Sequence, residues 1–76
     1  MKLPLISGQK LLKILSFKGF VSVRQRGSHI QLKNANGILI TVPIHKKRPV
    51  SIGVLHKILR DSELSRAEFI ELCNNI

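Results

Sequence analysis

Few residues in this chain can do chemistry. His29 lies in Arg24-Gln25-Arg26-Gly27-Ser28-His29-Ile30-Gln31-Leu32, His45 closes Val42-Pro43-Ile44-His45 ahead of Lys46-Lys47-Arg48, and His56 falls in a later apolar stretch. Histidine, with a reference pKa of about 6.5, gives or takes a proton near neutrality. Arginine and lysine bind phosphate and stabilise developing negative charge. A lone histidine on a strand can equally be a polar residue facing water. No two of His29, His45, His56 and Cys73 have metal-ligand spacing, and every carboxylate lies after residue 60, so neither a metal site nor a cofactor is expected.

A small body must position these groups. Seventy-six residues suit one domain, residues 1–76, with a single modest core. With three Phe and no Trp or Tyr, that core is aliphatic. The lone Cys73 excludes an internal disulfide, and no apolar run has signal-peptide or membrane-spanning length. A soluble cytoplasmic protein is expected, with no membrane partner. Charge is the strongest global feature: residues 1–60 hold twelve Lys or Arg and no acid, whereas residues 61–76 set Arg66 against Asp61, Glu63, Glu68 and Glu71. The net charge of +9 attracts polyanions, nucleic acid first and an acidic protein second.

The apolar periodicity divides the chain into six elements. Ser7 caps a helix running through Lys18, whose stripe is Leu11, Leu12, Ile14 and Leu15, with Lys10, Lys13 and Lys18 outward and Gly19 after its end. From Phe20 the period changes to two, first with Val21 and Val23, then with Ile30 and Leu32. A two-residue loop of Arg26 and Gly27 predicts Arg24 opposite His29, Val23 opposite Ile30 and Val21 opposite Leu32, with all the apolar pairs on one face. A three-residue loop of Ala35, Asn36 and Gly37 then pairs Leu32 with Ile40 and Ile30 with Val42, leaving His29 level with Pro43. Asn36-Gly37 as a two-residue loop would instead put the apolar sets on opposite faces. Pro43 ends the third strand or leaves it an edge. Ser51 caps a second helix through Arg60, burying Val54, Leu55, Ile58 and Leu59 with His56 and Lys57 outward. A capping box at Ser65-Arg66-Ala67-Glu68 starts a last short helix that offers Phe69, Ile70 and Leu72 to the core. The fold class is α+β: a helix, a three-stranded antiparallel sheet, a helix, and a short C-terminal helix.

On this order, Gly19-Phe20, Arg24-Gln25-Arg26-Gly27-Ser28-His29, Val42-Pro43-Ile44-His45, and Gly53, Leu55, Ile58 and Leu59 together resemble the HicA family of small toxins. The likeness covers nearly the whole chain. It implies a fold similar to the double-stranded RNA-binding domain, ribonuclease activity on messenger RNA, and a cognate HicB-type antitoxin. It also implies that the histidine of Gly-Ser-His, here His29, is catalytic. The family often has a second histidine directly after it; this chain has Ile30, which alternation sends inward.

Metal-free RNA cleavage needs a base for the 2′-hydroxyl, an acid for the leaving 5′-oxygen, and cations for the charge on phosphorus. On this reading His29 is the base or acid, and Arg24, Arg26, Lys33, Lys46, Lys47 and Arg48 bind the RNA backbone. Ser28 and Gly27 orient the ring or the phosphate. If strand direction persisted past Pro43, His45 would share the face of His29 and supply the second proton-transfer group; otherwise it is a loop residue that contacts phosphate or does nothing. His56 is surface. A non-catalytic RNA-binding module is the alternative, and it would not require the histidine of Gly-Ser-His.

Overall fold

The computed structural model describes residues 3–76. Three serines start the three helices. The Ser7 hydroxyl accepts from the Lys10 amide at 3.1 Å, opening α1 (Gly8–Phe17), and Ser51 does the same for Val54 at the head of α2 (Ile52–Asp61). Ser65 and Glu68 close a reciprocal capping box on α3 (Arg66–Asn75). Each satisfies an amide that the first helical turn would leave unpaired. The last helix, expected to be short, has ten residues, as many as the other two. Gly19, at a φ of 86°, takes the left-handed turn that releases the chain from α1 into the sheet.

Strands β1 (Val21–Arg26), β2 (His29–Lys33) and β3 (Leu39–Pro43) form an antiparallel sheet in the order β1-β2-β3. The β2–β3 register is the expected one, with Leu32 opposite Ile40, Ile30 opposite Val42, and His29 opposite Pro43. Its loop has Gly37 in the left-handed region, at a φ of 82°. Asn34 ties the loop down, its side-chain oxygen accepting from the amides of Asn36 and Ile38.

The β1–β2 register differs from the sequence reading. The loop residues are Gly27 and Ser28, so Arg26, not Arg24, lies opposite His29, and Arg24 lies opposite Gln31. Tight hairpin loops demand positive φ at their first central residue. An Arg26-Gly27 loop would require that of arginine; the observed one requires it of Gly27, at a φ of 54°. A second departure is a bulge at Val23, between the pairs Ser22 with Leu32 and Arg24 with Gln31. The extra residue puts Ser22, rather than Val21, opposite Leu32 and pairs Val21 with Lys33. Val21 and Val23, expected in the core, are 62% and 53% exposed.

The core lies between the helices and the inner face of β2 and β3. Leu11, Ile14 and Leu15 of α1, Leu32, Ile40 and Val42 of the sheet, Leu55, Ile58 and Leu59 of α2, and Phe20 and Phe69 are buried together. Both α1 and α2 pack on β3, and α3 packs on α1. Every β1 residue is exposed, on both faces, because the helices pack at the β3 side of the sheet and leave this edge strand uncovered. Cys73 joins the core, and its burial raises the thiol pKa above the ordinary value. The result is an α+β architecture of the double-stranded RNA-binding-domain kind. Among the described residues no helix is long and apolar enough to cross a membrane.

Candidate functional site

The outer face of the sheet carries three cross-strand rows. Arg26, His29 and Pro43 form the first; Arg24, Gln31 and Thr41 the second; Val21, Lys33 and Leu39 the third. Directly opposed side chains in such rows have Cβ atoms about 4.5–5.5 Å apart. A groove of about 200 Å³ runs across the first two rows, lined by Arg24, Arg26, His29, Gln31 and Thr41. His29 heads the central strand, and its solvent-facing position follows from the burial of Leu32 on the opposite side.

The turn that presents His29 is held on two sides. Within the hairpin, the Gln25 side-chain amide donates to the Gly27 carbonyl at 3.2 Å. From beyond β3, the Ile44 amide donates to the Ser28 carbonyl at 2.6 Å, continuing the ladder one step past the pair of His29 and Pro43. Ile44 is itself pressed by α1: a Cβ on Gly8 would sit 2.6 Å from the Pro43 carbonyl oxygen and 3.2 Å from the Ile44 Cα. Only glycine lets the start of α1 approach the backbone that braces the histidine turn. Sequence periodicity had no signal for this contact, since Gly8 reads as an ordinary first helical residue.

The other candidate residues are spread around this centre. Gly27 and Ser28 form the turn, and Lys33 lies in the third row, outside the groove lining. His45 is exposed in the segment after β3 and does not continue the strand. Lys46, Lys47 and Arg48 follow it in an exposed turn that leads to Val50, whose amide donates to the Ile6 carbonyl at 2.8 Å. His56 is exposed on α2. Gln31 and Thr41 line the groove but were not singled out from the sequence, although the β2–β3 register and the alternation through His29 place both on that face.

Opposite charges are kept away. The ion pairs Lys18–Glu68 at 3.0 Å, Lys57–Asp61 at 3.0 Å and Arg60–Asp61 at 3.8 Å all involve α2, α3 or the end of α1. A hydrogen bond from Lys18 holds the Glu68 carboxyl below its ordinary pKa, and one from Lys57 does so for Asp61. Among the described residues, Arg24, Arg26, Lys33, Lys46, Lys47 and Arg48 have no carboxylate partner, and no three His, Cys, Asp or Glu side chains gather as a metal site. The groove is therefore a cationic, solvent-open surface with one histidine in it, suited to holding a phosphodiester next to a group that exchanges protons.

The family model described as HicA toxin of bacterial toxin-antitoxin systems matches residues 8–64. The chain belongs to the HicA toxin family. The match runs from the glycine that touches Pro43 and Ile44, through all three strands, to the end of α2. Membership in the HicA family assigns the chain the toxin's part in a toxin-antitoxin system, with a cognate antitoxin as partner. A search among curated proteins found no match.

Proposed function

We propose that this HicA-family toxin is a metal-independent endoribonuclease that cleaves messenger RNA, with His29 exchanging the proton at the scissile linkage. The observation that carries this reading is the row Arg26, His29 and Pro43: an exposed histidine directly opposite an arginine, in a groove free of carboxylates. In the reaction the 2′-oxygen loses its proton and attacks phosphorus, and the bond to the 5′-oxygen breaks. That 5′-oxygen leaves with a proton, and a cyclic phosphate remains on the 3′ side. His29 serves as the base at the first oxygen or the acid at the second. Arg26 stabilises the charge that builds on the phosphoryl oxygens, and Arg24 holds the neighbouring part of the strand. Lys33 at one end of the face, and Lys46, Lys47 and Arg48 beyond Pro43, bind flanking phosphates. The Gly27-Ser28 turn orients the ring. His45 stands next in the chain to Ile44, which is bonded to Ser28, and is the candidate for the complementary proton. A HicB-type antitoxin is the partner this reading expects.

The test is growth arrest on expression of wild type and His29→Ala, together with incubation of each purified protein with RNA in EDTA. Wild type should arrest growth and cut, and His29→Ala should lose about 10²–10⁴-fold in cutting. Equal cutting by His29→Ala overturns the role of His29. Cutting abolished by EDTA overturns the metal-independent step. RNA that wild type binds but leaves intact makes the domain a non-catalytic RNA-binding module.

A further inference from the structure

Along the central strand, the outer face changes from the imidazole of His29 to a neutral amide at Gln31. Gln31 is half-buried between Arg24 on one side and Thr41 on the other. Its amide makes no side-chain hydrogen bond among the described residues, whereas the amide of Gln25, also in the sheet, is occupied by the Gly27 carbonyl. Thr41 likewise keeps its hydroxyl free on this face. A glutamine amide or a threonine hydroxyl can bond a phosphate oxygen but brings no charge to it, and the twelve Lys or Arg in the first sixty residues already supply charged phosphate donors. A fork of one donor and one acceptor, fixed on a central strand, is instead the equipment that recognises the edge of a nucleobase.

Spacing supports the same assignment. Gln31 lies two residues from His29, about 7 Å along the strand. With a phosphate between Arg26 and His29, a nucleotide next to it reaches the second row with its base. Arg24, which heads that row, offers a planar guanidinium on which the base can stack. We propose that Gln31, with Thr41 beside it, is the specificity-determining element, hydrogen-bonding the base of the nucleotide adjacent to the cut in single-stranded RNA. This rests on the RNA-cleaving reading above.

The test is to cut a pool of short RNAs of randomised sequence with wild type, Gln31→Leu, Thr41→Val and His29→Ala, and to sequence the ends. Wild type should show a base preference at one position next to the cut. Gln31→Leu should shrink that preference about tenfold at that position alone, and Thr41→Val should shrink it less. His29→Ala should lower cutting at every base alike. An unchanged preference profile in both Gln31→Leu and Thr41→Val overturns the inference while leaving the ribonuclease reading intact. If wild type cuts nothing, the ribonuclease reading fails by itself, and base recognition is then decided by binding to oligo(A), oligo(C) and oligo(U). Discrimination among the three that is lost in Gln31→Leu supports it; equal binding of all three by wild type overturns it.

Discussion

The two faces of β2 and β3 are made from alternate residues of the same strands, yet they do different physical work. On the inner face Leu32, Ile40 and Val42 are at most 3% exposed and packed under α1 and α2. On the outer face His29, Lys33, Leu39 and Thr41 are exposed, and the facing Arg24 and Arg26 come from a strand that no helix covers. The inner face determines whether the chain folds. The outer face is free of that duty, so its charges, its histidine and its unpaired amide can serve a ligand at little cost to stability.

The largest effect should come from the inner face. Leu32→Ala leaves a cavity in a core of modest size and should cost about 2–5 kcal/mol in denaturant unfolding. His29→Ala, three residues away on the same strand, should stay within about 0.5 kcal/mol of wild type in the same titration. A His29→Ala protein as unstable as Leu32→Ala would break the separation of the two faces.

Gly8→Ala sharpens the comparison because it links the faces. Its new methyl meets the Pro43 and Ile44 backbone, which braces Ser28, so it should cost about 1–3 kcal/mol and also lower RNA cutting. Lost stability with undiminished cutting in the folded fraction would show that the brace does not position His29.

A smaller effect is expected at Val21. Because it faces outward opposite Lys33, Val21→Ala should change stability by no more than about 0.5 kcal/mol. A loss above 1.5 kcal/mol, about that of a buried valine, would restore the register in which it faces the core.

Acid should act on the helical side, and most weakly. The Glu68 carboxyl, ordinarily at 4.5, is depressed by Lys18, and Asp61, ordinarily at 3.8, by Lys57. Between the ordinary and the depressed values the unfolded chain binds more protons. The stability these pairs lend is therefore complete above about 4.5 and fades as pH falls through the depressed values. A melting temperature followed from pH 6 to pH 3 should fall, and Glu68→Gln should flatten part of that slope. An equal slope in the variant would show that the exposed Lys18–Glu68 pair contributes nothing measurable.

Legibility in the sequence followed burial. The three serine caps, the helical stripes and the β2–β3 register were readable because each is tied to apolar residues that must be removed from water, and a one-residue slip would expose them. β1 lacked that constraint. Its valines alternate as a buried strand would, but they sit on an edge strand that no helix covers, so burial could not select their register. That choice fell to the backbone, through the positive φ of Gly27 and the bulge at Val23. On α3 the apolar pattern points to Phe69, Ile70 and Leu72, but the helix buries Phe69 and Cys73, because a small thiol carries little weight in a periodicity set by larger apolar side chains.

By itself the sequence determined the order of elements, the inner face of β2 and β3, the outward placement of His29, and the cationic surface around it, since periodicity and charge are local properties of the chain. Only the tertiary structure decided which arginine stands opposite His29 and that Gly8 bears on the backbone behind it. The first relation rests on turn geometry and the second on close backbone contact between residues far apart in the chain, and neither leaves a period in the sequence.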